Sequence, residues 1–172
     1  MSVYFILEEN DADWRMKIGR AKNRVARRRA LQTGNSRLLK IVGWIETEQD
    51  AALEAHLHAK YAEFNIGKRG ESRSKEWFRL QPGDILDDLV RAGRDGFVAK
   101  NANAFEIVGY DKYAVPEYVG VWDWASLEPY ECCTFCGCFC GMHFQDASYM
   151  YHCLNCDTLT DLSRDSREQM AR

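Results

Sequence analysis

The chain has 172 residues, of which 46% are hydrophobic and 28% charged, with a net charge of −3. This length fits one medium domain or two small ones, and the composition excludes a disordered chain. No stretch approaches the roughly 20 apolar residues that cross a bilayer, and the N-terminus lacks the basic segment of a signal peptide. We therefore expect a cytoplasmic protein with no membrane partner.

Charge and cysteine are both distributed unevenly along the chain. Residues 1–100 carry 19 basic and 15 acidic side chains, whereas residues 101–172 carry 4 and 11. All seven cysteines lie between Cys132 and Cys156. Such asymmetry predicts units with different partners. We predict an N-terminal domain at 1–93, a linker at 94–104, and an acidic, aromatic-rich module at 105–172.

The N-terminal residues predict a hairpin, a helix and a third strand. Short runs rich in β-branched and aromatic residues are typical of strands. Gly34 is placed to end the helix, since glycine is common just after the last helical residue. The predicted elements are strands at 3–7 and 15–20, a helix at 23–32 and a strand at 38–45.

The strongest helical pattern covers residues 49–64. One apolar stripe recurs at i, i+4, i+8 and i+11, and Glu54 and His58 lie four residues apart on its rim. The stripe consists of Leu53, Leu57, Tyr61 and Phe64. After it we predict a polar loop at 65–75, a short apolar run at 77–80, a second helix after Asp84 and strand-like structure at 105–124.

A basic segment stands out against the acidic whole. From Trp14 to Ile45 the chain holds ten Lys or Arg residues and no carboxylate. Charge runs are often merely solvated, but a local basic face is also the usual footprint for a phosphate backbone. The polar loop adds two further cations. The candidate DNA-binding residues are Arg20, Lys22, Arg24, Arg28, Arg29, Lys68 and Arg69.

Several motifs of this half follow one another in a recognisable order. They are Tyr4 in the first strand, Lys17-Ile18-Gly19 in the second, Arg27 in the helix, Glu54 with Leu57-His58 in the next helix, and Glu76-Trp77-Phe78. The set resembles the GIY-YIG nuclease superfamily over roughly residues 1–90. It is most similar to the phage and bacterial subgroup in which the second motif is KIG and the domain ends in a Trp-Phe pair.

The resemblance implies a small antiparallel sheet flanked by helices and divalent-metal-dependent hydrolysis of DNA phosphodiesters, in a bacterial or phage-infected cell. It implies that Tyr4, Gly19 and Arg27 match the superfamily's motif residues and that Glu54 holds the catalytic metal. Two positions depart from the pattern. Lys17 stands where the typical family has a second Tyr, and the late catalytic Asn has no certain counterpart, Asn65 being one candidate.

Phosphodiester hydrolysis explains why these residue types are useful together. A carboxylate such as Glu54 can hold Mg²⁺ or Mn²⁺, which polarises the phosphate. The planar fork of Arg27 suits phosphate oxygens, a Tyr4 hydroxyl can position water or relay a proton, and Lys17 can supply charge or a proton. His58 is a candidate for ligation or proton transfer.

Each of these residues also has a plain structural interpretation. Tyr4 can be a buried strand aromatic, and Glu54 alone would be an ordinary carboxylate on a helix surface. His58 can simply close a hydrogen bond. Lys17 and Arg20 can be solvated charges that discourage pairing at a sheet edge.

The cysteines form two CxxC pairs, Cys133–Cys136 and Cys153–Cys156, separated by 16 residues. Gly137 permits a tight turn after the first pair. This spacing indicates a tetrahedral four-cysteine zinc site and resembles a zinc ribbon, whose structural metal contributes folding free energy that a small core cannot. The register stays open, since Cys132 could replace Cys133, and Cys138 or Cys140 could replace Cys136. A second metal is also compatible with the spare cysteines and histidines.

The sequence therefore predicts an α+β protein with a GIY-YIG-like domain and a C-terminal zinc ribbon. The leading function is a Mg²⁺- or Mn²⁺-dependent DNA endonuclease carrying structural Zn²⁺. One alternative is a non-catalytic nucleic-acid-binding zinc protein. The other is an interaction or inhibitor protein that binds a protein partner through its acidic C-terminal part. Oligomeric state and DNA specificity are not predicted.

Overall fold

The computed structural model describes residues 1–8, 14–67, 74–99, 105–110, 116–120, 131–133 and 135–161. In these segments no helix is both long and apolar enough to cross a membrane. The predicted DNA-binding residues Lys68 and Arg69 lie outside the described residues.

Ten strands and three α-helices make up the described fold, which confirms the predicted α+β class. They are β1 (Ser2–Glu8), β2 (Arg15–Ala21), α1 (Arg24–Thr33), β3 (Leu39–Glu46), α2 (Asp50–Lys60), β4 (Trp77–Phe78), α3 (Leu86–Ala92), β5 (Gly96–Val98), β6 (Phe105–Tyr110), β7 (Pro116–Gly120), β8 (Met142–Gln145), β9 (Met150–Cys153) and β10 (Leu159–Thr160). Short 3₁₀ turns occupy Ala62–Phe64, Pro82–Ile85 and Gly93–Asp95.

The main sheet is fully antiparallel, with strand order β4-β2-β1-β3-β5. Its central strand, β1, is buried along its whole length. Because successive side chains of a strand point to opposite faces, Phe5 packs with Leu57 of α2 and Leu89 of α3, whereas Tyr4 lies in a second cluster with Leu31 of α1. Helices therefore cover both faces, which explains the continuous apolar run in β1.

The predicted apolar stripe of α2 holds for three of its four residues. Leu57 and Tyr61 are buried and Leu53 packs against the same core, but Phe64 is 46% exposed. Helix α2 ends at Lys60, and the following 3₁₀ turn changes the angle between successive side chains. The prediction for Phe64 was wrong because it assumed a continuous helix.

The predicted linker at 94–104 contains a strand of the main sheet. Residues 96–98 form β5, which pairs with β3 in the register Gly43–Val98. Phe97 and Val98 are apolar and buried, so the core holds this segment where a linker was expected. Residues 100–104 lie outside the described residues, and the remaining domain boundaries stay a prediction.

The cysteine-rich part of the chain docks on the outer edge of β5. The amide of Val98 donates to the Gly137 carbonyl at 3.0 Å, and the amide of Phe139 donates to the Gly96 carbonyl at 3.2 Å. Cys132 and Phe139 also belong to the main core cluster. The first CxxC turn therefore extends the main sheet.

The two CxxC turns share one backbone geometry. The amides of Gly137 and Asp157 donate to the carbonyls of Cys133 and Cys153, each at 2.9 Å. Gly137 and Asp157 both have positive φ, 75° and 59°, directly after the second cysteine of each pair. Strands β8, β9 and β10 form a three-stranded sheet beside these turns, and β6 pairs with β7 in a separate hairpin. Strands β6 and β7 lie within residues 105–124, which were predicted to be strand-like.

Candidate active site and metal centre

The candidate active site lies where β4 stops pairing with β2. Strand β4 pairs only with Met16 and Lys17 of β2. The next contact is a single hydrogen bond from the Ile18 amide to the Glu76 carbonyl, at 3.1 Å. Side chains of α1 reach this edge from one face of the sheet and side chains of α2 from the other.

Tyr4 lies across the backbone of Gly19, its partner in the β1–β2 register. A Cβ atom added to Gly19 would stand 2.5 Å from the Tyr4 Oη. Nonbonded heavy atoms do not approach so closely, so a side chain at position 19 would displace the tyrosine. The glycine of the KIG motif thus has a physical reason: it makes room for the ring of Tyr4, which is 1% exposed.

The Tyr4 hydroxyl lies among opposing charges. Burial raises the pKa of Tyr4, a hydrogen bond from Arg27 and the charge of that guanidinium lower it, and the charges of Glu76 and Glu54 raise it further. The net effect is a raised pKa, so the phenol keeps its proton at neutral pH. A neutral hydroxyl of this kind can orient water or pass on a proton.

Glu54 is tied to a cation from the neighbouring strand. The Arg20 Nε lies 3.0 Å from a Glu54 carboxylate oxygen, and its Nη1 lies 3.1 Å from Asp50. Asp50 is buried, and the Glu54 side chain is 18% exposed. Arg20 was predicted to bind DNA. The structure places it within the carboxylate cluster, half-exposed, and its DNA-binding role stays a prediction.

Lys17 pairs with Glu76, a residue to which no role was assigned from the sequence. The Lys17 side chain is only 3% exposed and its ammonium donates to the Glu76 carboxylate. Burial of Glu76 opposes ionisation, but the hydrogen bond and charge of Lys17, with the charges of His58 and Arg27, hold the pKa of Glu76 below its usual range.

His58 joins α2 to β2. Its Nε2 lies 3.0 Å from the Ile18 carbonyl oxygen. A carbonyl can only accept, so Nε2 carries the proton and Nδ1 is the nitrogen left for other chemistry. The ring also packs against Phe78, with centroids 5.1 Å apart. The hydrogen-bonding interpretation of His58 is therefore observed, and its catalytic role stays a prediction.

The five predicted catalytic residues form one connected set. Tyr4 is linked electrostatically to Arg27 and Glu54, and Glu76 links Lys17, His58 and Arg27. Neither Glu76, although part of the Glu76-Trp77-Phe78 motif, nor Asp50 was assigned a role from the sequence. For Asp50 a signal was present, because Asp50, Glu54 and His58 recur every four residues on one helix face.

Asn65, the candidate for the late asparagine, has a structural contact. It is buried, and its Nδ2 donates to the Lys75 carbonyl at 2.6 Å. This hydrogen bond holds the chain immediately before Glu76.

Two cations of the basic segment, Lys22 just before α1 and Arg29 within it, have no ionic partner among the described residues. Both side chains are exposed. By contrast, Arg24 stacks 3.6 Å over the Trp44 ring, and Arg28 donates to the Leu39 carbonyl at 3.3 Å. Helix α1 has no buried residue, so its outer side is available to a partner.

Four thiols of the two CxxC turns converge on one point. The sulfur atoms of Cys133, Cys136, Cys153 and Cys156 all lie within 4.8 Å of one another. Two of these pairs, Cys133–Cys156 and Cys136–Cys153, are 3.7 and 3.8 Å apart. Tetrahedral zinc with Zn–S bonds near 2.3 Å requires sulfur separations of about 3.8 Å. The four cysteines could therefore bind a metal ion such as zinc.

The remaining cysteines separate from this group. Cys132 is buried in the main core, and the Cys138 sulfur lies 3.3 Å from the Arg94 carbonyl oxygen. Cys140 lies beside the group, with its sulfur 3.4 Å from that of Cys153. The structure thus favours the predicted register over the alternatives through Cys132 or Cys138.

Comparison with known families adds an independent result. The family model of the T5orf172 domain matches residues 1–92. This span is just over half of the chain, and the chain therefore belongs to the T5orf172 domain family. That family is a phage-associated, nuclease-type domain, which indicates a nuclease-like or DNA-related function with DNA as the partner. No curated protein and no solved structure matches the chain.

Proposed function

We propose that the sheet domain is a GIY-YIG-type endonuclease that hydrolyses DNA phosphodiester bonds with a divalent metal. The observation that carries this proposal is the cluster at the β2 edge. There a buried tyrosine hydroxyl is hydrogen-bonded to an arginine and feels the charge of a carboxylate, with the exposed cations Lys22 and Arg29 just before and within α1. Family membership supports a nuclease, and the order Tyr4, Gly19, Arg27, Glu54 supports the GIY-YIG type.

The chemistry of Glu54 fits a magnesium or manganese ion. One of its oxygens bonds to Arg20, and the other has no hydrogen bond to a described residue. Mg²⁺ is commonly held by one or two carboxylates plus substrate phosphates and keeps several waters. A metal on Glu54 would polarise the scissile phosphate.

The other residues then take distinct roles. Arg27 binds a phosphate oxygen while donating to Tyr4, since a guanidinium has five donors. The neutral Tyr4 hydroxyl orients the attacking water or relays its proton. Lys17 adds positive charge on the same face of β2, and His58 can exchange a proton through Nδ1.

We also propose that the four cysteines hold one structural zinc ion. Four thiolates complete a tetrahedron and leave no position open for water or substrate, which is the pattern of structural sites. Thr158 supports this chemistry. Burial opposes ionisation of Cys156, but hydrogen bonds from the Thr158 side chain and backbone, together with those of the Cys133 and Cys153 thiols, bring the pKa of Cys156 to about 7.

Plasmid cleavage tests the nuclease directly. Supercoiled DNA is incubated with Mg²⁺ and either wild type, Glu54→Ala or the control Glu48→Ala, which removes an exposed carboxylate just before α2. We expect Glu54→Ala to abolish nicking while DNA binding is retained or slightly strengthened, and Glu48→Ala to cleave normally. Equal nicking by wild type and folded Glu54→Ala would refute the assigned role of Glu54.

One observation favours a second candidate, a non-catalytic DNA-binding protein. Arg20 already neutralises Glu54, as a metal would be expected to do. In that case the wild type binds DNA in a salt-sensitive manner and cuts no DNA tested with Mg²⁺ or Mn²⁺.

A further inference from the structure

The backbone of Glu76 is fixed by hydrogen bonds at both its carbonyl and its amide. Its carbonyl accepts from the Ile18 amide, and its amide donates to the Ser74 hydroxyl at 3.3 Å. The preceding Lys75 carbonyl accepts from the buried Asn65 side chain. The carboxylate of Glu76 therefore extends from a fixed base, directly beyond the point where β4 pairs with β2.

Lys17 depends on this carboxylate. Its side chain is almost fully buried, and its ammonium bonds to Glu76 and lies 5.8 Å from the centre of the Trp77 ring. Burying an ammonium without a partner is costly, so the carboxylate compensates for the lost hydration. Lysine also carries its charge on a flexible four-carbon stem, and a partner is needed to fix where that charge lies.

The same carboxylate remains open to solvent and to the rest of the site. Glu76 is 46% exposed, and only one of its oxygens is engaged by Lys17. The charges facing it come from three elements: Lys17 on β2, Arg27 on α1 and His58 on α2. Glu76 thus contacts Lys17 directly and interacts electrostatically with Arg27 and His58.

We propose that Glu76 is a positioning residue that holds the Lys17 ammonium at a fixed point on the Tyr4 face of β2. Lys17 then supplies a positive charge at a defined position in the active site. The expected effect of this positioning on the cleavage rate rests on the proposed nuclease function. The structural part of the inference, the confinement of Lys17 by Glu76, is independent of any activity.

Amine labelling tests the structural part. Wild type, Glu76→Gln, Glu76→Asp and the control Glu48→Gln are treated with an acylating reagent, and each lysine is quantified by mass spectrometry. We expect Lys17 to be protected in wild type and control, several-fold more reactive in Glu76→Gln, and intermediate in Glu76→Asp. Lys40 and Lys60 report on general unfolding and should react equally in all four proteins.

Cleavage kinetics test the functional part. We expect Glu76→Gln to lower kcat by about 10²-fold, the cost of misplacing a group by roughly 1 Å, with little change in KM. Glu76→Asp should recover part of the rate. Unchanged Lys17 protection in Glu76→Gln would overturn the inference, as would an unchanged kcat when Lys17 is released. A raised Mg²⁺ requirement with Lys17 still protected would instead make Glu76 a metal ligand.

The two proposals fail in different ways. If wild type cleaves no DNA, the nuclease proposal is rejected, whereas Lys17 labelling still decides whether Glu76 confines it. If wild type cleaves and Glu76→Gln matches it in rate and labelling, only the positioning role is rejected.

Discussion

In the main sheet, apolar side chains fill both faces of β1. The cysteine ribbon at 131–161, by contrast, has only a small core of its own. Its core cluster contains three buried residues, Cys133, Met142 and Cys153, and two of these belong to the thiol group. Its larger apolar side chains are instead exposed, among them Phe135, Phe144 and Tyr149. The sheet can thus fold by apolar burial, but the ribbon needs another source of stability.

Metal binding is the source that the ribbon's chemistry offers. Domains below about 40 residues usually require disulfides, metals or association to fold. All seven cysteines are free thiols in the structure. Structural zinc contributes about 10–16 kcal/mol of apparent binding free energy in small zinc peptides at neutral pH. An ion bound with such a free energy would be a major stabilising contribution to this region.

Removing one thiol of the four should have the largest effect, because it should unfold the ribbon and leave the main sheet folded. Cys153→Ser deletes a ligand, and we expect it to lose the single zinc ion and with it the ribbon structure, while the main sheet remains folded. Metal analysis gives zinc per chain, and limited proteolysis shows which region has unfolded. The matched control is Cys138→Ser, which removes a buried thiol outside the four. Zinc retained in Cys153→Ser, or lost in Cys138→Ser, would contradict the ligand set.

A smaller effect is expected from a substitution that weakens the contact between the ribbon and the main sheet and leaves the four cysteines in place. Gly137 has φ of 75°, and an added Cβ would meet the Val98 carbonyl oxygen at 2.4 Å. We expect Gly137→Ala to destabilise the docked first turn by more than the roughly 1–3 kcal/mol that one such strained backbone position usually costs, because the added Cβ also displaces the Val98 carbonyl.

Gly141→Ala is the control for that experiment. Gly141 has nearly the same φ, 77°, but an added Cβ would meet nothing within 4 Å. Both variants carry the strain of a positive φ. The difference between their thermal unfolding temperatures therefore measures the effect of disturbing the docking contact. Equal destabilisation by both substitutions would mean that the contact with β5 contributes nothing.

The smallest effect on stability, but a clear one on binding, is expected from two cations within and just before α1. Lys22→Glu with Arg29→Glu should weaken DNA binding for all sequences and reduce its salt dependence by about one unit of slope per lost phosphate contact. The control is Arg91→Glu with Arg94→Glu, the same change of charge on exposed residues of α3 and the turn after it. If the control weakens binding as much, the effect is one of net charge and α1 is not the interface.

Local patterns were sufficient for most elements of the main sheet. Alternation in β2 and the spacing of Leu53 and Leu57 in α2 are properties of short segments, so the sequence alone predicts them. The Lys17–Glu76 contact joins residues 59 positions apart. It depends on how β4 registers with β2, and no periodicity within either segment contains that information.

The cysteine register of the proposed zinc site shows the same limit. Spacing could not distinguish Cys132 from Cys133, because both precede the first turn by similar distances. The two are distinguished only by tertiary structure, which places Cys132 in the main core and Cys133 among the other thiols. The linker prediction missed β5 for the same reason, since a three-residue strand is recognised only through its neighbours.

The docking of the first CxxC turn on β5 also bears on solubility. A sheet edge with free amides and carbonyls is a template for pairing with another chain, and proteins usually shield such edges. Here the shield is a loop that carries Cys133 and Cys136, two ligands of the proposed zinc ion. Chelation would therefore uncover the β5 edge of an otherwise folded sheet, and the metal-depleted protein should self-associate through it before the sheet itself unfolds.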